Sequence, residues 1–145
     1  MLFKEFNEKY AEKALAEGTA SKEQIDECMA LTDESKNITL ERALVNQGVI
    51  SPISALRISS QILDIPFVDL YVMNIDPLAA NKLEKKTCLK YCCLPIGKFF
   101  GNYVIVTDCV LDDKEEALRQ IFGEEFEFNL ALRDEILKQI DKVFL

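Results

Sequence analysis

From Phe3 to Glu17 the apolar residues Phe3, Phe6, Tyr10, Ala14 and Leu15 recur at close to helical spacing, which predicts an amphipathic helix. Gly18 follows where a C-terminal cap belongs, because glycine enters the left-handed region without steric cost. Ser21 reads as the next N-cap, and Gln24 three residues on completes a capping box. The helix it opens runs to about Leu31, with Ile25, Cys28, Met29 and Leu31 as candidate inner positions. Thr32 to Asn37 is polar and reads as a loop. The arrangement then recurs. Leu40, Ala43 and Leu44 form a helical apolar face that Gly48 stops. Ser51 caps a helix with Pro52 at its first position, where the missing N–H costs nothing, and that helix carries Ile53, Leu56, Ile58, Gln61 and Ile62. Gly18 to Ser21 and Gly48 to Ser51 are spaced alike, and Ala14 and Leu44 each precede their glycine by four. The pattern is an internal repeat of 30 residues: helix, Gly turn, Ser cap, helix. Generic helix-hairpin punctuation accounts for two such copies as well.

The second half changes period. Ile65 to Leu70 is extended, since Pro66 drives the residue before it out of the helical region. Asp76-Pro77 starts a helix with Leu78, Ala79, Leu83 and Cys88 facing inward. Tyr91 to Ile96 is a short apolar stretch containing Pro95, which predicts an edge strand. Gly97 to Asn102 reads as a turn, and Tyr103 to Thr107 is apolar on both faces, as a buried central strand should be. These two strands should pair as a hairpin. Asp112 or Asp113 is expected to cap a helix that ends at Phe122 before Gly123. Phe126, Phe128 and Leu130 alternate with polar residues, which marks a half-buried strand, and Arg133 to Phe144 closes the chain as an amphipathic helix. The expected fold is α+β, with N-terminal helical hairpins (residues 1–64) packed on a small three- to four-stranded sheet. That sheet belongs to a second part, residues 65–145, of order β-β-α-β-α. A crossover helix implies parallel, right-handed pairing of the last strand if it neighbours the one before.

Composition narrows the function by exclusion. The 145 residues carry a net charge of -8, and each half is -4, so no basic face is available to neutralise nucleic-acid phosphates. No apolar run is long enough for a membrane span, and Met1 to Tyr10 mixes charges into the apolar residues, unlike a signal peptide. There is no histidine, which removes Ser-His-Asp and Cys-His catalysis, imidazole pH switching and His-ligated zinc. No GxxxxGK[ST] phosphate loop is present. The five cysteines, Cys28, Cys88, Cys92, Cys93 and Cys109, contain no CxxC pair and read as reduced, small apolar residues. A redox role for Cys92 and Cys93 is the sharper alternative. The carboxylate pairs Asp112–Asp113, Glu115–Glu116 and Glu124–Glu125 read as solvated charges rather than metal ligands or acid/base pairs. No catalytic or metal-binding residue is therefore expected.

One succession of segments is more specific than any of its parts: Gly48-Val49-Ile50-Ser51, Pro66 to Leu70, Asp76-Pro77, Leu94-Pro95, Tyr103 to Asp108, Gly123, and Phe126 to Phe144. It resembles the N-terminal domain of type II secretion and type IV pilus assembly ATPases, the MshEN or GspE N-terminal domain family. The resemblance covers about residues 38–145, and residues 1–37 resemble a second copy of the helix hairpin. It implies a cytoplasmic domain, peripheral at the inner membrane through a partner, that does no chemistry. Its partner would be the cytoplasmic part of an inner-membrane platform protein or a secretion ATPase, with no nucleic acid bound and no direct membrane insertion. The missing phosphate loop means that the chain is either a piece of such an ATPase or a free-standing domain acting in trans.

Some members of that family bind cyclic di-GMP through two copies of a motif of the form RLGxxLxxxGxLxxxxLxxALxxQ. The resemblance places Lys9 and Gly18 of the first copy, and Leu40, Leu44, Gly48 and Ile50 of the second, at motif positions. Gln61 closes the second copy one residue early. The departures fall on the polar positions. Thr39 stands for the leading Arg, Glu41 for the first Gly, and Thr32 for the first copy's closing Gln, while Arg42 and Arg57 are out of register. Lost arginines and a gained acid weaken anion binding, so Leu40, Leu44 and Ile50 are better read as helix packing. Cyclic di-GMP remains the alternative, and no other cofactor is implied.

Overall fold

The computed structural model describes all residues, Met1–Leu145, which divide into two compact units, Met1–Asp64 and Ile65–Leu145. The first unit is four helices: α1 Phe3–Glu17, α2 Lys22–Met29, α3 Leu40–Asn46 and α4 Pro52–Leu63. Gly18 and Gly48 both end a helix in the left-handed region, with φ of 70° and 72°. In each copy the following residue donates its N–H five residues back, Thr19 to the Ala14 carbonyl and Val49 to the Leu44 carbonyl. Ser21 and Ser51 then accept from the backbone of Gln24 and Ser54, and Gln24 closes its capping box. The repeat is thus repeated in backbone hydrogen bonds as well as in sequence. Phe6, Tyr10, Ala14, Leu40 and Leu44 have no exposed surface and form the centre of this unit. Leu15 and Leu31, expected inside, are about half exposed, at 49% each. Leu15 lies outside the Phe6–Tyr10–Ala14 stripe, and α2 stops at Met29, two residues short of the expected end.

The second unit holds α5 Pro77–Ala80, α6 Lys85–Tyr91, β1 Cys93–Phe99, β2 Asn102–Thr107, α7 Asp112–Phe122, β3 Phe126–Leu130 and α8 Arg133–Val143. The sheet order is β1-β2-β3. β1 pairs antiparallel with β2, and β3 pairs parallel with β2 in the register Tyr103↔Phe126 to Thr107↔Leu130. β2 is the central strand, and Pro95 sits on the terminal strand β1, as a residue without an N–H should. On the far side of β3, Leu130 donates to the Pro66 carbonyl and accepts from Val68 N–H, both at 2.8 Å, so that Phe67 forms a parallel bridge.

Three expectations for this unit need correction. The helix from Asp76 is two pieces: α5 ends at Ala80, where the Asn81 amide donates to the Pro77 carbonyl at 2.8 Å, and Glu84 starts α6. Leu78 is consequently 82% exposed, while Ala79, Leu83 and Cys88 are buried. β1 begins at Cys93, because Cys92 turns left-handed at φ 47°, and it runs through Gly97 to Phe99. A bulge between Pro95 and Gly97 keeps the pairing alive, so the turn shrinks to Phe100 and Gly101. Leu111, without a side-chain bond, is the residue before α7, and Asp112 and Asp113 are first-turn acids that favour the helix dipole.

Candidate functional site

The motif positions of the first unit lie on both repeat copies. Leu40 follows the N-cap Thr39, whose hydroxyl accepts from Arg42 N–H at 3.2 Å. Thr39 occupies the position at which the motif carries its leading Arg, and here it satisfies a helix end. Glu41 accepts a hydrogen bond from the Ser59 hydroxyl and ties α3 to α4. Leu40 and Leu44 are wholly buried and Ile50 is 7% exposed. Gly18 and Gly48 are exposed at their turns, and Gln61 is exposed on α4. Lys9 is exposed and pairs with Glu5, one turn earlier on α1, at 3.4 Å. The apolar motif positions therefore converge in the core, whereas Lys9 and Gln61 face solvent. Arg42 is half-buried and Arg57 is exposed.

Two polar residues of this unit carry no motif signal but fix its geometry. Asn7, 4% exposed, accepts from the Leu40 N–H at 2.9 Å and meets one of the unpaired donors at the start of α3. The buried Tyr10 hydroxyl donates to the Ala55 carbonyl at 3.0 Å and holds α1 to α4. A polar residue inside the apolar stripe Phe6–Tyr10 is the sequence signal that could have singled out Asn7.

The second unit contains a charged centre that sequence reading missed. The Lys114 ammonium donates to Asp108 Oδ1 and to Thr107 Oγ1, both at 2.9 Å. Arg133 Nη1 donates to Asp108 Oδ2 at 3.0 Å. Thr107 in turn donates to the Cys92 carbonyl at 2.9 Å. One carboxylate at the end of β2 thus anchors the first turns of both α7 and α8. Burial opposes its charge, but Lys114 and Arg133 outweigh that and hold the Asp108 carboxyl below the usual carboxylate range. Burial likewise opposes the Lys114 charge, yet Asp108 and the nearby Cys109 keep its pKa above the ordinary lysine value. The arrangement is closed on itself and has the character of a structural clamp. None of the five cysteines is in a disulfide, and all are buried. The hydrogen bond to Cys88, together with burial, pushes the Cys93 thiol far up, which leaves it protonated and a poor nucleophile. No group of His, Cys, Asp and Glu is placed to hold a metal ion.

Residues 63–145 match the MshEN domain family. The chain belongs to that family. The matched stretch begins beyond all seven residues assigned to the cyclic di-GMP motif. Among solved structures the MshEN chain resembles that of MshE with cdg, at 22% identity and a TM-score of 0.78, covering 92% of this chain and 97% of that one. The N-terminal domain of XpsE matches at 18% identity and a TM-score of 0.73, covering 94% of both chains. A second crystal form of the XpsE domain gives 21% identity, a TM-score of 0.61 and 90% of both chains. These likenesses show the α+β fold. No curated protein matches the sequence. No helix is long and apolar enough to cross a membrane.

Proposed function

We propose that residues 1–145 act as one GspE N-terminal-like docking and regulatory domain of a type II secretion or type IV pilus machine. It binds the cytoplasmic part of an inner-membrane platform protein and does no chemistry itself. The observation that carries this reading is the likeness to the N-terminal domain of XpsE over 94% of both chains, alongside membership of the MshEN family. The closed Asp108–Lys114–Arg133 clamp and the buried thiols support a structural rather than catalytic unit. Such a domain works in the cytoplasm and reaches the inner membrane only through its partner. The test is co-purification of the chain with the cytoplasmic part of the platform protein of its own machine. Retention on an affinity column is expected, and failure of the folded chain to be retained sinks the reading.

A second reading is favoured by one observation, the likeness to MshE solved with cdg, which is cyclic di-GMP. On this reading Lys9, Gly18, Leu40, Leu44, Gly48, Ile50 and Gln61 would meet the ligand. The buried state of Leu40 and Leu44 means that their core would have to open first, and Lys9 would have to leave Glu5. Calorimetry with cyclic di-GMP decides it. The docking reading expects no heat of binding, and a saturable heat lost in Lys9→Ala or Gln61→Ala, both at exposed positions, would favour the sensor.

A further inference from the structure

Phe99 pairs with Asn102, which leaves Phe100 and Gly101 as a two-residue loop between β1 and β2. Their φ angles are 54° and 86°. Positive φ at both central residues marks a type I′ turn, which favours Asn, Asp or Gly at the first place and Gly at the second. Gly101 obeys that rule. Phe100 breaks it, because a bulky side chain in the left-handed region crowds its own backbone. Phe100 is also fully exposed, so burial returns nothing for the strain. Two costs to the fold thus fall on one residue, and the use that keeps it there lies outside the fold. The neighbouring Phe99 is exposed as well. The Asp76 N–H donates to the Ile96 carbonyl at 2.9 Å, which lays the start of α5 and its exposed Leu78 beside β1. The tip lies at the end of the sheet opposite to the Thr107–Leu130 pair, on which Phe67 bridges. Its surroundings are basic. From Lys85 to Thr107 the chain holds four lysines, Lys85, Lys86, Lys90 and Lys98, and no acid, although the whole is at -8. Lys98 is exposed, lies over the Tyr103 ring at 4.8 Å and pairs with no carboxylate.

We propose that the tip of the β1–β2 hairpin is a docking anchor: Phe100 enters an apolar pocket of a partner protein, and carboxylates on the rim of that pocket meet Lys98. The proposal rests on the docking reading and names the surface used and the chemistry of the partner. An aromatic side chain that fills a desolvated pocket carries much of the energy of an interface, and the charges around it set orientation and rate of encounter. The tight turn holds Phe100 out in one place, so little freedom is lost when it binds. The charge balance selects the occupant. A chain at -8 is repelled by an anionic lipid surface and by a second copy of itself, whereas an acidic rim is attracted by the one stretch that has lysines alone.

The test is Phe100→Asn in the whole chain, because asparagine suits the turn and removes the anchor. Its thermal unfolding midpoint should rise by about 2–4 °C, while its affinity for the cytoplasmic part of the platform protein, titrated by calorimetry, should fall by about tenfold or more. Lys98→Glu should weaken the same binding several-fold, and more at low salt than at high. A midpoint that falls in Phe100→Asn shows the side chain serving the fold, and overturns the proposal. Lys98→Glu binding as tightly as the wild type removes the acidic rim and overturns it too. If Phe100→Asn binds the platform part as well as the wild type does, the hairpin is not the anchor and the docking reading stands. If the wild type does not bind at all, the docking reading fails and takes this inference with it. Self-association of the wild type, or its sedimentation with phosphatidylglycerol vesicles, that Phe100→Asn abolishes would make a second copy or a lipid surface the occupant, and either result overturns the proposal.

Discussion

The two units solve the problem of buried polar groups differently. In the first unit the buried polar residues Asn7, Thr39 and Ser59 are all neutral. Asn7 and Thr39 meet helix-terminal N–H groups, and the buried Tyr10 hydroxyl meets a carbonyl of α4. In the second unit a carboxylate, an ammonium and a guanidinium are brought together where β2, α7 and α8 meet. The first unit's buried contact with a charged group is the Ser59 hydroxyl's bond to Glu41; Asn7, Thr39 and Tyr10 hold its helices through neutral side chains bonded to backbone. The second unit depends on each charge keeping its partner, because an isolated charge in that place has lost its water without compensation.

The sharpest way to break the comparison is Asp108→Ala. It leaves Lys114 buried without its carboxylate and should destabilise the second unit by about 3–5 kcal/mol, read by urea denaturation. The pH dependence follows with a definite sign. The folded Asp108 pKa lies below its unfolded value, so its contribution is present above the unfolded value of about 4 and is lost as pH falls through the lower, folded one. Acid titration of stability should therefore show a loss below about pH 4 that Asp108→Asn makes smaller. For the first unit the largest effect is Leu44→Ala, a cavity in a wholly buried position, at about 3 kcal/mol with no change in the acid limb. Gly18→Ala and Gly48→Ala come next. Each puts a Cβ on a left-handed residue with open space around it, so strain alone costs about 1 kcal/mol. The two values should agree within about 0.5 kcal/mol if the copies are equivalent in energy as they are in hydrogen bonding. The smallest effect is Lys9→Ala, which removes only an exposed i,i+4 pair and should shift stability by less than about 0.5 kcal/mol.

Local rules with a short reach made much of the fold legible. Gly18, Gly48 and Gly123 all end helices in the left-handed region, the Ser21 box closes, and Pro95 marks the terminal strand. The parallel pairing of β3 followed from the crossover helix. What escaped was set by contacts between distant residues. Periodicity placed Leu78 inside a continuous helix, but the break at Asn81 turned it to solvent. Glycine at 97 signalled a turn, yet a bulge lets the strand pass through it. The clamp was invisible because Asp108, Lys114 and Arg133 lie on three elements, and nothing in their spacing announces that one carboxylate serves both helices. For the candidate ligand residues the apolar positions are legible as core, and the polar ones are exposed at turns and helix faces.

The central claim, a docking domain rather than a nucleotide sensor, is tested most directly by affinity co-purification of the whole chain with the cytoplasmic part of its own inner-membrane platform protein, in the presence and absence of cyclic di-GMP. The account predicts retention that cyclic di-GMP leaves unchanged. Retention that appears only when cyclic di-GMP is added would contradict it.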